Sequence, residues 1–279
     1  MLKQRIITAL ILAAVFLAAL FYLPIAYFTV FLALVVLVGA WEWANLASWS
    51  SAWQRYSYVA VIAVLMALIA LYLGFWPGHE PSGTEPYQRL ILLGCAWWAL
   101  ALLLVQGYPS SAILWGSTSV RLLMGVMVLI PTWIAFVYVR SQPGGAWLVL
   151  LIVAIVACAD IGGYFVGRRW GKHKLKPAVS PGKTWEGFVG GLLANVLLAI
   201  VLWQITGNSL ITLLALILPT SLFSVLGDLL ESMVKRQRGI KDSSALLPGH
   251  GGVLDRMDSL TAAAPVFALA LIASGGVGG

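Results

Sequence analysis

The chain has 279 residues, of which 61% are hydrophobic and only 10% charged, and its formal net charge is +7. Soluble domains carry about 25% charged residues, so this composition excludes a domain solvated on all sides and points to an all-α, polytopic integral membrane protein. The basic residues fall between apolar runs rather than on a soluble domain. That sets nucleic acid aside as a partner and favours anionic lipid or phosphate-bearing substrates.

The N-terminal run from Lys3 to Leu23 begins like a secretory signal but flows past Pro24 with no separated cleavage site, so it reads as an uncleaved first span. Apolar runs of about 17–25 residues are long enough to cross the hydrocarbon core as helices. Nine are read, at roughly 6–22, 24–41, 57–76, 88–106, 121–139, 146–167, 187–206, 209–231 and 259–275. Only Leu23 and Pro24 separate the first two, and proline suits a turn there. With the N-terminus cytoplasmic, fifteen of the seventeen lysines and arginines lie inside and only Arg89 and Arg140 outside. A change of one span before residue 146 would reverse the N-terminus and leave the loops 168–186 and 235–258 cytoplasmic.

Residues 1–140 therefore read as a transmembrane scaffold in contact with lipid, and 141–279 as the region that holds the chemistry. Glu42, in Trp-Glu-Trp-Ala-Asn at the end of the second span, reads as an interfacial residue in an aromatic belt with Trp41, Trp43, Trp97 and Trp98. Glu80 and Glu85 in the outer loop add little chemistry, and the closing Ser-Gly-Gly-Val-Gly-Gly reads as a frayed end. Cys95 and Cys158 lie in apolar runs and offer neither a disulfide framework nor zinc spacing.

Asp160 lies inside the sixth span, about two turns before Arg168. A carboxylate at that depth needs a partner, a proton or a metal, and Gly162 and Gly163 beside it allow close helix approach or a local break. A structural salt bridge explains Asp160 equally well. In the loop that follows, Arg168, Arg169, Lys172, Lys174 and Lys176 are accounted for by topology and attraction to anionic lipid. The segment Ser180-Pro181-Gly182-Lys183-Thr184-Trp185-Glu186-Gly187 differs. Ser180 is expected to cap a helix that begins at Pro181. The turn would present backbone N–H groups, Lys183 and the Ser180 and Thr184 hydroxyls to phosphate oxygens. It lacks the G-x-x-x-x-G-K-S/T of a Walker loop.

At the end of the eighth span Asp228, Glu231, Ser232 and Lys235 fall at i, i+3, i+4 and i+7 and share one helical face. Acid below and base above suits a metal held deep with an anionic substrate docked over it. An intrahelical pair between Glu231 and Lys235 is the simpler account of Glu231. The stretch Ser232–Asp258 then concentrates charge in an otherwise apolar chain. Pro248-Gly249-His250-Gly251-Gly252 cannot be a helix interior and can form an anion-binding nest. Asp255 and Asp258 lie on one face if a helix starts at Val253, and with Asp228 they offer hard oxygens to Mg²⁺. Arg256 would point toward phosphate or lipid. His250 has no second histidine nearby, which argues against zinc. Its role as proton carrier, phosphate donor or turn-stabilising group stays open.

Ser232-x-x-Lys235-Arg236, Lys241-Asp242 and His250-Gly251-Gly252-x-x-Asp255-Arg256-x-Asp258 resemble the signature of the phosphatidate cytidylyltransferases (CDP-diacylglycerol synthases), without departure over 27 positions. The 180–187 segment and the Asp160 span also resemble that family, and the resemblance is specific over about 160–262. It implies that CTP and phosphatidate give CDP-diacylglycerol and pyrophosphate with Mg²⁺ as cofactor. Carried over residue by residue, it implies a metal set of Asp228 and Asp255, with Asp258 close by and Asp160 completing it. Asp228, Asp255, Asp258 and Lys241 would be catalytic. Ser180, Lys183, Thr184, Ser232, Lys235, Arg236, His250, Gly251, Gly252 and Arg256 would bind substrate. The expected partners are CTP, phosphatidate and membrane lipid, with no nucleic acid, and a homodimer is left open. The active site is expected at the cytoplasmic face of the cell membrane. One alternative is an ion or phosphate transporter with Asp160 and Asp228 along its path, although the polar residues lie in one half rather than in paired halves. Another is a CDP-alcohol phosphotransferase, whose pattern opens with Asp-Gly, whereas Gly227-Asp228 runs in the opposite order.

Overall fold

Nine helices long and apolar enough to cross a bilayer are present among the described residues, 2–74 and 83–275 of a computed structural model. In chain order the elements are α1 (Leu2–Tyr22), α2 (Ile25–Leu46), α3 (Ala52–Tyr72), α4 (Thr84–Gly107), one-turn α5 (Ala112–Trp115), α6 (Thr118–Ser141) and α7 (Gly145–Trp170). A hairpin of β1 (Lys174–Lys176) and β2 (Ser180–Thr184) precedes α8 (Trp185–Thr206), α9 (Leu210–Arg238) and α10 (Leu254–Ala273). The chain is an integral membrane protein with an all-α architecture. The expected outer loop with Glu80, the end of the third span at 75–76 and the tail beyond Gly275 lie outside the described residues.

The centre is built by α6, which is buried along most of its length and touches α2, α4, α7 and α10. α10 packs on α9 and also on α6 and α4. Trp98, Leu129 and Phe267, all fully buried, belong to one core, so the regions 1–140 and 141–279 are packed together rather than apart. Trp43 and Trp98 lie in that core instead of a surface belt. Trp43 satisfies its Nε1–H by donating to Arg121 O at 2.7 Å, as a buried indole requires.

Two helix ends differ from expectation. α9 continues past the expected end of the span at 231 to Arg238, so Arg236 and Arg238 join Lys235 on the helix. Cations complement the partial negative charge of a helix C-terminus, and the stop comes at Gly239, which takes the left-handed conformation (φ 75°). The expected cap at Ser180 is corrected: residues 180–184 are extended and pair with β1. The cap of α8 is Thr184, whose Oγ1 accepts from Gly187 N at 3.1 Å. Pairing with Lys174–Lys176 and a hydrogen bond from Trp185 N to His173 O (2.9 Å) hold Pro181 and Gly182 out of the helix. Replacing Thr184 with alanine is expected to destabilise the fold by about 1 kcal/mol, read as a lower Tm in detergent.

α7 and α8 meet along a glycine seam. A Cβ on Gly162 would lie 2.6 Å from Gly190 O, and one on Gly191 would lie 2.7 Å from Ala159 O. Such small-residue contacts let helices approach backbone to backbone in lipid. At one end of the bundle the polar connections are tied together. Arg121 donates to Leu46 O (3.0 Å), Arg238 to Asn45 O (3.2 Å), Lys176 to Gln106 O (2.6 Å) and Thr8 to Pro248 O (3.4 Å). Arg140, at the other end, donates to Leu20 O and Leu23 O.

Candidate active site

The site begins with the α9 face. Ser232 Oγ donates to Asp228 Oδ1 at 3.1 Å, and Lys235 Nζ donates to Glu231 Oε1 at 3.1 Å, so the i, i+4 geometry expected of a helix is realised twice. The second Asp228 oxygen is ion-paired with Lys183 Nζ. Lys183 is delivered by β2, and the hairpin that carries it is pinned by Lys176 on Gln106 O and by Arg236 Nε on Val179 O (3.2 Å). Arg236 thus has its Nε engaged with the hairpin.

α10 supplies the next acid. α9 and α10 cross where Gly227 meets the Asp258 carbonyl, too close for any side chain at position 227. This crossing sets Asp258 within electrostatic reach of Asp228, Lys183 and Lys235. Asp258 Oδ1 accepts from Ser259 N at 2.7 Å, and its other oxygen takes no hydrogen bond among the described residues. Asp160, from α7, is within electrostatic reach of Lys183 and Asp228. Both Asp160 and Lys183 line a cavity of about 440 Å³ between α7, α8 and α9, whose walls also include Arg168, Thr184 and Ser221. Phe188, Leu175 and Val225 separate it from a second, more apolar cavity of about 310 Å³ that reaches α4.

Asp255 is placed differently from Asp258. Its Oδ1 accepts from Lys235 Nζ at 2.8 Å, and its Oδ2 accepts from Gly252 N at 2.7 Å, Ser243 N at 2.9 Å and Ser243 Oγ at 3.0 Å. With its side chain only 6% exposed, Asp255 fixes a loop and a lysine and is not among the residues that line the cavity. The glycine turn is held by its own bonds and by ties to α1 and α10. Gly249 and Gly251 take positive φ (74° and 83°), which glycine adopts without steric cost. Leu247 N donates to Gly251 O (2.8 Å), His250 Nδ1 lies 3.4 Å from Pro248 O, and Arg256 donates twice to His250 O (3.2 and 2.9 Å). Lys241 is exposed and makes no side-chain hydrogen bond or ion pair among the described residues, and Ser180 stands partly exposed at the start of β2.

The sequence-predicted residues that come together are therefore Asp160, Lys183, Thr184, Asp228, Ser232, Lys235, Gly252, Asp255 and Asp258. Lys241, His250 and Gly251 lie in a neighbouring loop, which Arg256 reaches from the first turn of α10. No three His, Cys, Asp or Glu side chains converge at metal-ligating distance among the described residues. One residue was missed. Glu42, on α2, is fully buried and holds the loop that precedes α10. The signal that finds it is the rule already used for Asp160: an ionisable group in an apolar span is a site until its partner is known.

Comparison with known proteins supplies a family. A sequence model of the Cytidylyltransferase family matches residues 3–273. A Pseudomonas aeruginosa protein named phosphatidate cytidylyltransferase is 48% identical over 278 residues, covering 99% of this chain and 98% of its own. A Haemophilus influenzae protein of the same name is 41% identical, covering 96% and 97%. A Brucella suis protein of that name is 35% identical, covering 96% and 92%.

Proposed function

The chain belongs to the cytidylyltransferase family, and we propose on that premise that it transfers the cytidylyl group of CTP to phosphatidate, giving CDP-diacylglycerol and pyrophosphate. The observation that carries this reading is the ion pair of Lys183 with Asp228, in electrostatic reach of Asp258 and Asp160, with Lys183 and Asp160 lining a cavity that has both polar and apolar walls. A phosphate oxygen of the lipid forms a bond to the α-phosphorus of CTP, and the bond to the departing pyrophosphate breaks. The lipid phosphate is already an anion, so little general-base help is needed. What slows the step is repulsion between two polyanions and the charge left on pyrophosphate, which preorganised cations address. Lys183 and Arg168 are the cations that line the cavity. Lys235, locked between Glu231 and Asp255, supplies a fixed positive charge behind Lys183.

Mg²⁺ fits the donor set. Asp258 and Asp160 are hard oxygen donors that are each in electrostatic reach of Asp228, and Mg²⁺ takes one or two carboxylates together with substrate phosphates and water. Bound there, it would neutralise charge on the triphosphate. Asp255 drops out of this set because its oxygens are already committed. The tied basic end of the bundle faces the cytoplasm in this reading. CTP then arrives from water, and phosphatidate slides in from the leaflet. Membrane lipid or a second copy of the chain covers the exposed apolar faces of α1 and α3.

Purified protein is expected to release pyrophosphate from CTP only when phosphatidate and Mg²⁺ are both present, with radiolabelled cytidylate moving into a lipid-soluble product. Release of CMP instead would mean a phosphotransferase, and ion or phosphate flux in proteoliposomes without nucleotide would mean a transporter.

A further inference from the structure

Glu42 lies in the last turns of α2, is 0% exposed, and has no ion pair among the described residues. Arg55, the cation in its electrostatic reach, donates to Trp41 O instead. A buried carboxylate persists only where hydrogen bonds replace its lost hydration, and here four donors do so. Oε1 accepts from Ser244 Oγ at 2.5 Å and Val253 N at 2.9 Å, while Oε2 accepts from Leu254 N at 2.7 Å and Ser243 Oγ at 3.2 Å.

Two of these donors are backbone N–H groups at the start of α10. That helix begins at Leu254, and its N-cap residue Val253 supplies no side-chain cap. Its first amides need an acceptor, and a carboxylate there also meets the positive end of the helix dipole. The cap therefore comes from α2, more than two hundred residues away in sequence. Ser243 extends the arrangement. Its Oγ stands 3.2 Å from Glu42 Oε2 and 3.0 Å from Asp255 Oδ2, with a single proton between two carboxylates. Asp255 in turn fixes Lys235 at 2.8 Å, and Lys235 pairs with Glu231. A side chain at Gly252 would overlap both Ser243 Oγ and Glu42, so the backbone passes through the middle of the network.

We propose that Glu42 is a positioning residue for the transfer reaction: it caps α10 from the N-terminal region and, through Ser243 and Asp255, sets Lys235 and the Asp258 carboxylate against Asp228 and Lys183. The inference rests on the activity proposed above and adds a residue outside the motif-bearing half of the chain.

The test uses the full-length protein in phosphatidate-containing micelles and the variants Glu42→Gln, Ser243→Ala, the double variant, and Met66→Ala as a control for lost core packing on α3. Glutamine keeps the volume of Glu42 but can serve only one side of the network. The kcat of Glu42→Gln is expected to fall about 30- to 100-fold, as a displacement of roughly 1 Å in reacting groups does, with KM for CTP within about threefold. The double variant is expected to lose no more than about twofold beyond Glu42→Gln, because the two side chains act in one network. Met66→Ala should lower Tm while keeping kcat within about threefold. Retained kcat in Glu42→Gln, additive losses in the double variant, or an equal loss in Met66→Ala overturns the proposal. If Glu42→Gln does not accumulate, Ser243→Ala alone decides: a loss of about tenfold in kcat supports the proposal, and wild-type kcat overturns it. Amide hydrogen exchange at Val253 and Leu254 reads the clamp without any activity. Exchange about tenfold faster or more in Glu42→Gln is expected, and unchanged exchange overturns the clamp. A wild-type protein that makes no lipid product would instead overturn the activity while leaving the exchange test standing.

Discussion

Replacing Asp228 with asparagine is expected to lower kcat by about 10³-fold or more while the protein still folds. Asp228 is the point where two elements meet: α9 carries it and supplies Ser232 to one of its oxygens, and β2 brings Lys183 to the other. Asparagine keeps the shape and loses the charge, so Lys183 is left without its counter-ion and the acidic set loses a member. Both partners of the pair are 25% exposed, so solvent screens the interaction, and the stability change should stay near or below about 1 kcal/mol. Activity and stability are thus predicted to separate, with a large fall in turnover and a small shift in Tm. Lys183→Met should match Asp228→Asn, and the double variant should be no worse than either, because groups that act as a unit lose their effect together. A variant Asp228→Asn that keeps more than a tenth of wild-type kcat would remove the pair from the mechanism.

The parts of this site legible in the sequence are those set by local spacing. Apolar runs of the right length mark the spans, and the helical period puts Asp228, Ser232, Glu231 and Lys235 on one face. The parts that were not legible depend on residues distant in the chain. Thr184 replaces Ser180 as the cap because β1 draws residues 180–184 into a hairpin. Asp255 has the same spacing credentials as Asp258, yet Ser243 and Gly252 take up its oxygens, and only the path of the loop between α9 and α10 reveals that. Glu42 is the extreme case. Tryptophans on both sides of it suggested a membrane interface, but Trp43 turns into the core and the carboxylate reaches α10. The motif names residues near the chemistry, and packing decides which of them face it.

That dependence on packing makes Gly227→Ala the second large prediction. A Cβ at position 227 would overlap the Asp258 carbonyl oxygen and lie 3.2 Å from the Cα of Ser259. Both obstacles are backbone, so no side-chain rotation relieves the clash, and α9 and α10 have to move apart. Overpacking of this kind costs about 1–3 kcal/mol, enough to lower Tm by several degrees without unfolding the protein. Function is expected to suffer more than stability. Asp228 is the next residue on α9 and Asp258 is the residue struck on α10, so the displacement falls directly between two carboxylates of the proposed site. A shift near 1 Å between reacting groups costs about 10²-fold in rate, and Gly227→Ala is expected to lose at least that when assayed well below its own Tm. Gly83→Ala is the matched control, since a Cβ there meets nothing within 4 Å and wild-type turnover is expected. If Gly227→Ala shows the Tm and kcat of the wild type, the helix crossing does not set the geometry of the acids. The contact that brings Asp228 and Asp258 together would then have to lie elsewhere on α9 and α10.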